Sequence, residues 1–202
     1  VGSPLAEIVS RPDMRTPAEA HAYLDAIKHI MRYVGVSDCD MEKGSLRCDA
    51  NISIRPAGES KLGVKAELKN LNSFKFIEKA LHVEIERQIE VLESGGRIAQ
   101  ETRGYDSAKN TTHSQRSKEQ AHDYRYFPEP DLPSFTLTKQ EIERVRSSLP
   151  ELPEARRGRF ESAFGLPTYD AEVLTAESST ADFFEAVVRA GADPKKASNF
   201  VL

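Results

Sequence analysis

One stretch constrains the fold more than any other. From Leu46 to Arg55, apolar and polar residues alternate without a break. Leu46, Cys48, Ala50, Ile52 and Ile54 fall on one side, and Arg47, Asp49, Asn51, Ser53 and Arg55 on the other. Successive side chains of a strand point to opposite faces, so period two predicts a strand with one packed and one polar face. Pro56-Ala57-Gly58 turns the chain. A second alternating run follows, with Val64, Ala66 and Leu68 inward and Lys65, Glu67 and Lys69 outward. Together the two runs predict an antiparallel hairpin with one packed and one open face.

Around this hairpin the period changes to that of helices. Thr16, Pro17 and Glu19 form a capping signal before an apolar stripe from Ala20 to Val34, which Gly35 stops. Asn72 or Ser73 caps a long helix with Ile77, Leu81, Ile85, Ile89 and Leu92 on one side, ended by Gly95-Gly96. Ile98 to Tyr105 and Thr111 to Arg116 read as two short strands around a polar turn, Asp106 to Asn110. Pro128, Pro130 and Pro133 exclude helix from the stretch that follows. From Thr138 the pattern is helical, with a joint at Leu149-Pro150-Glu151-Leu152-Pro153 and a last helix opened by Asp193 and Pro194. Strands mixed with helices, then helices alone, predict an α+β fold on an antiparallel sheet over residues 1–147. The start of an all-α domain is expected over 148–202. The chain has no initiator Met, opens in an apolar stretch and closes inside a helical pattern, so it is expected to be a fragment lacking amino- and carboxy-terminal portions.

Composition narrows the chemistry. The net charge of −4 gives no bulk attraction to nucleic acid, so such contacts must come from local basic patches. No apolar run approaches the roughly 20 residues of a membrane span, and no secretory signal is visible. The two cysteines, Cys39 and Cys48, have neither zinc spacing nor a disulfide framework. There is no P-loop, dinucleotide fingerprint or nucleophile elbow.

The polar hairpin face gathers Arg47, Asp49, Asn51, Glu67 and Lys69. Two carboxylates beside an amide suit a hard cation such as Mg²⁺, and Arg and Lys suit phosphate. A solvated outer sheet face would show the same alternation. Asp49, Asn51 and Ser53 are poor strand formers, which favours a site. Glu42 stands near the strand entrance. Glu101 and Arg103 share a face of a later strand, as either a surface ion pair or part of the site. Arg116, Lys118, Tyr124 and Arg125, with Tyr126 and Phe127, interleave basic and aromatic residues that could hold RNA or pack an extended segment.

Longer strings carry more. Gly44-Ser45-Leu46-Arg47-Cys48-Asp49-Ala50-Asn51-Ile52-Ser53, Glu67-Leu68-Lys69-Asn70-Leu71-Asn72-Ser73-Phe74, Gln100-Glu101-Thr102-Arg103 and Asp123-Tyr124-Arg125-Tyr126-Phe127-Pro128-Glu129-Pro130-Asp131-Leu132 closely resemble signatures of the B subunits of the tRNA-dependent amidotransferases. Leu149 to Pro153 and Tyr169 to Thr175 continue the resemblance, which runs along essentially the whole chain. Ser3, Arg11 and Cys39 depart from the family's usual small apolar residue, acidic residue and Gly.

The resemblance implies a catalytic fold like that of glutamine synthetase. It implies a ligase that uses ATP and Mg²⁺ to phosphorylate the side-chain carboxylate of Glu-tRNA(Gln), Asp-tRNA(Asn) or both. Amidation follows, with ammonia from a partner amidase, the A subunit. A small third partner, the C subunit, braces the pair in a heterotrimer. The implied location is the bacterial cytoplasm, or an organelle in a eukaryote. Within the matching motifs, Asp49 and Glu67 are the expected metal ligands, with Glu42 and Glu101 as further candidates. Arg47, Lys69 and Arg103 are expected on phosphate or carboxylate, and Asn51 on ligand orientation. Two other readings stay open: a non-catalytic tRNA-binding module of the same complex, and a stand-alone small-molecule ligase. Carboxylates at positions 49 and 67 would repel phosphate on a pure RNA surface, whereas a metal site requires them.

Overall fold

The computed structural model describes residues 4–117 and 133–202. They fall into two compact units, drawn from 1–25 with 41–121 and from 26–40 with 122–202.

The first unit is built on a four-stranded sheet in the order β1-β2-β3-β4, formed by Ala50–Ile52, Ala66–Lys69, Glu101–Asp106 and Thr111–Ser117. The expected hairpin is present: β1 and β2 run antiparallel, with Asn51 opposite Glu67 and Ala50 opposite Leu68. The ladder of β1 is shorter than the alternation that announces it. Side-chain exposure still alternates from Leu46 to Ile52, but Asp49, Asn51 and Ser53 favour other backbone arrangements and β1 is an edge strand. Val64, expected inward, is half exposed because it precedes β2.

The all-antiparallel sheet expected from the sequence is corrected: β2 and β3 are parallel, with Glu67 opposite Thr102 and Lys69 opposite Gly104. The reason is the helix α2, Phe74–Glu93, lying between them in sequence. A long helical crossover returns the chain to the end from which it started, which a tight turn cannot do. β3 and β4 pair antiparallel around the Asp106 turn, where Asp106 Oδ1 accepts from Ala108 N at 3.0 Å and Lys109 N at 3.1 Å. Between Thr102 and Arg103 the register shifts. Thr102 faces Arg116 and Arg103 faces Ser114, so Gln115 is an extra residue in β4.

Two helices complete the core of this unit. Ser73 caps α2 by accepting from Phe76 N at 3.2 Å. Helix α1, Pro17–Tyr33, opens with the expected capping box between Thr16 and Glu19. Leu24 of α1 joins Leu68, Leu71, Ile77, Ala80, Leu81 and Tyr105 in a single buried cluster. The buried stripe of α2 differs from the expected one. It runs Ile77, Ala80, Leu81, Glu84, Gln88, while Ile89 and Leu92 are exposed.

In the second unit the described elements are helices. They are the carboxy-terminal part of α1, then α3 Lys139–Ser148, α4 Pro153–Phe164, α5 Thr168–Leu174, α6 Ser178–Arg189 and α7 Pro194–Val201. Phe160, Leu166, Leu174 and Phe184 are its buried centre, and Tyr33 of α1 donates to the Thr175 carbonyl at 2.5 Å. Among the described residues no helix is long and apolar enough to cross a membrane.

Candidate active site on the outward face of the sheet

Registered partners in adjacent strands share a face, so the pairings fix which side chains meet. Asn51 on β1, Glu67 on β2 and Thr102 on β3 form one row across the outward face. Lys69 and Gly104 form the next. Lys69 Nζ lies 2.7 Å from Asp49 Oδ2 and 3.6 Å from Glu67 Oε1. The hydrogen bond to Asp49, with the charges of both carboxylates, raises the Lys69 ammonium above its ordinary pKa. Thr102 Oγ1 donates to Glu67 Oε2 at 3.0 Å, so both oxygens of Glu67 have directed neighbours. Hence the structure brings together four of the expected site residues, Asp49, Asn51, Glu67 and Lys69, and adds Thr102.

Gly104 keeps this face low. A Cβ there would stand 2.3 Å from the carboxamide nitrogen of Gln115, the extra residue of β4. Arg47 is exposed before β1, with Nη2 3.9 Å from where a Cβ on Gly44 would sit. Glu42 is exposed in the loop that enters β1.

Arg103 and Glu101 are placed elsewhere. Arg103 pairs in register with Leu68, a wholly buried residue, so it points to the inner face against α2. Its Nη1 bonds Glu101, its Nη2 donates to the Thr112 carbonyl at 2.9 Å, and its Nε donates to Thr112 Oγ1 at 3.1 Å. The same Nε lies 3.2 Å from Glu84 Oε2. Arg103 and Lys69, both expected on phosphate or carboxylate, thus stand on opposite faces of the sheet. Burial raises the Glu101 carboxyl, but its hydrogen bonds to Ser114 and Arg103 outweigh this and leave it below its ordinary value. Of the four residues expected on RNA, Arg116 lies in β4 opposite Thr102, and Lys118, Tyr124 and Arg125 lie outside the described residues.

The donors decide what the outward face can hold. Among the described residues no three His, Cys, Asp or Glu side chains cluster as a metal cage. Two carboxylates, Asp49 just before β1 and Glu67 on β2, fit an ion that keeps most of its shell as water and phosphate oxygen, as Mg²⁺ does. They do not fit a closed nitrogen–sulfur site. Burial, with Asp49 next to it, pushes the Cys48 thiol up to about 11, which disfavours its thiolate.

Sequence pattern alone misses Glu84, Gln88 and Thr112. Glu84 is fully buried on α2 and accepts from Arg87, from Gln88 at 2.9 Å and from Thr112 Oγ1 at 2.8 Å. Gln88 Nε2 reaches the Ile52 carbonyl at 3.3 Å, and its Oε1 is buried without a partner among the described residues. A signal for them exists. The spacing of Ile77 and Leu81 continues through Glu84 and Gln88, so the apolar stripe turns polar beneath a strand that carries an arginine.

The first unit is thus an α+β domain that bares carboxylates, an amide and an ammonium on one sheet face and holds paired buried charge on the other. The chain belongs to the GatB/GatE catalytic domain family, whose model matches residues 1–143. It is 59% identical over 198 residues to the B subunit of the aspartyl/glutamyl-tRNA(Asn/Gln) amidotransferase of Solidesulfovibrio magneticus, covering 98% of this chain and 42% of that protein. Subunits of the same name from Carboxydothermus hydrogenoformans and Geobacillus thermodenitrificans are 55% and 59% identical over 201 residues, covering 100% of this chain and 42% of theirs. The chain thus spans less than half the length of these relatives.

Proposed function

We propose that this chain forms part of the subunit that activates the side-chain carboxylate of misacylated tRNA. The substrates are Glu-tRNA(Gln), Asp-tRNA(Asn) or both, and the enzyme is an ATP-dependent carbon–nitrogen ligase. The observation that carries the proposal is the convergence of Asp49, Glu67 and Lys69 on one sheet face, in a chain of a catalytic-domain family. A carboxylate is a poor acyl donor to ammonia, so it must first be given a leaving group. Phosphoryl transfer from ATP supplies one, and its transition state needs positioned positive charge. Bound Mg²⁺ would supply charge neutralisation of the phosphates, and Asp49 and Glu67 are the residues that would hold it.

The chain's own residues do the rest. Lys69 lies within reach of both carboxylates and turns a cation toward incoming phosphate oxygens. Thr102 fixes the Glu67 carboxylate plane. Asn51, beside Glu67, offers an amide to orient the substrate carboxylate. Arg47 adds a second exposed cation at the strand entrance. A partner amidase supplies the ammonia, and a small third partner holds the assembly together. The likeness of the fold to glutamine synthetase belongs to this reading as well.

The test uses the full-length protein with its partner subunits, Mg²⁺ and ATP labelled at the γ-phosphate. Phosphate release is expected to depend on tRNA carrying Glu or Asp, and Lys69→Met is expected to lower it about 10²-fold. Phosphate release indifferent to the amino acid carried, or tRNA binding with no ATP consumption, would contradict the proposal and favour a binding module.

A further inference from the structure

The inner face of the sheet holds a charge network that the proposed chemistry does not use. Every Arg103 nitrogen is engaged: Nη1 by Glu101, Nη2 by the Thr112 carbonyl, Nε by Thr112 Oγ1 and Glu84. The guanidinium is held by these neighbours on the side of the sheet away from Lys69. Glu84 is equally occupied, by Arg87, Arg103, Gln88 and Thr112. Burying such charges is costly unless each is paired and hydrogen-bonded, and a network of directed charge-assisted bonds defines one geometry.

The network sits at the irregular step of the sheet. The register of β3 and β4 shifts between Thr102 and Arg103. Thr102 points outward and donates to Glu67, and Arg103 points inward to Glu84 and Thr112. Successive residues of a strand face opposite ways, so fixing the direction of one fixes the other. A bulge adds local twist and re-aims the side chains beside it.

We infer that Arg103, Glu84 and Thr112 are positioning residues that lock the β3–β4 bulge from inside and thereby aim Thr102 at Glu67 on the outward face. The inference rests on the proposed role of Glu67 for its catalytic consequence, though not for its geometry. Thr112 is the informative position. Its hydroxyl bridges Arg103 Nε at 3.1 Å and Glu84 Oε2 at 2.8 Å, and Thr112→Val deletes the bridge without stranding a charge.

The experiment is a double-mutant cycle in the full-length protein assembled with its partners, using Thr112→Val, Thr102→Val and both together. The readouts are kcat and KM for ammonia-dependent amide formation, with the threonine methyl NMR spectrum read alongside. Thr112→Val is expected to shift the Thr102 methyl signal and to lower kcat about 10-fold, in the range seen when supporting contacts of a site are removed. KM for ATP should change little. The double variant should lose no more than the worse single one, because both act through the same contact. Thr102→Ser, which keeps the hydroxyl, should recover most of the rate. Multiplying losses in the double variant, or a Thr102 methyl signal unmoved by Thr112→Val, would overturn the inference. If Glu67→Ala left the rate intact, the role of Glu67 would fall, and the methyl signal would still decide whether the network aims Thr102.

Discussion

The two faces of the first unit's sheet carry similar side chains in opposite circumstances. On the outward face Lys69 and Asp49 remain 43% and 49% exposed, while Glu67 keeps a narrower opening of 16%. On the inner face Glu84 and Arg103 are 0% and 8% exposed, and each charge is boxed in by several partners. The Lys69–Asp49 pair can exchange partners for a ligand at little cost to the fold, since exposed pairs contribute about 0–1 kcal/mol. The inner network cannot, since removing one of its charged members strands another charge in a poorly hydrated place. Charge that is available for chemistry and charge that holds geometry are thus separated by the thickness of a single sheet.

The largest effect expected on stability comes from the inner face. Glu84→Ala should destabilise the chain by about 3–5 kcal/mol, because Arg103 and Arg87 lose their shared partner. Urea denaturation would measure it, and a loss below about 1 kcal/mol would erase the contrast between the faces. Leu68→Ala removes a wholly buried side chain beside Arg103 and should cost about 2–5 kcal/mol.

Acid should act mainly on the inner face. Burial raises the Glu84 carboxyl, but the bonds from Arg87, Gln88 and Thr112 prevail and hold it below its ordinary value of 4.5. A carboxylate with a depressed folded-state value contributes its stability in full above the unfolded value and loses it as pH falls through the folded one. Glu84→Gln should therefore flatten the acid limb of the stability curve below about pH 4.5. An acid limb as steep as the parent's would show that the titrating groups lie elsewhere.

The smallest expected effect is at Cys39, a buried non-glycine residue at φ 54°. That left-handed backbone favours glycine. Cys39→Gly should relieve about 1 kcal/mol of strain and lose a comparable amount of packing, for a net change near zero. A loss above roughly 2 kcal/mol would mean that the thiol packs better than its backbone suggests.

The outward face is legible in the sequence because period two is strong and local. Alternation assigns Asp49, Asn51, Glu67 and Lys69 to polar faces; the registers place Asn51, Glu67 and Lys69 on one side, and the Lys69 ion pair brings Asp49 beside them. The inner face is not legible, because it depends on which residues of α2 lie under β3. Ile89 and Leu92 satisfy a helical period as well as Gln88 does, and only the packing against the sheet decides which side of the helix is covered. The same dependence hides the place of Arg103. The strand's own alternation fixes Arg103 relative to Thr102, but its face relative to Glu67 depends on the parallel register of β2 and β3. Cys39 gives no sign in the sequence of its left-handed backbone, because no glycine stands there to mark it.

The central claim is that the outward carboxylates perform chemistry and do not support the fold. It is tested most directly by ammonia-dependent amidation of Glu-tRNA with Asp49→Ala and Glu67→Ala in the full-length protein assembled with its partners, assembly being checked by gel filtration. Both variants should assemble normally; Asp49→Ala should unfold within about 1 kcal/mol of the parent and Glu67→Ala, which also removes the partner of Thr102, within about 3 kcal/mol, while amide formation falls at least about 10²–10³-fold. Glutamine hydrolysis, which the proposed function assigns to the amidase partner, should persist. Near-parental amide formation in both variants would contradict the account and return this face to a solvated surface.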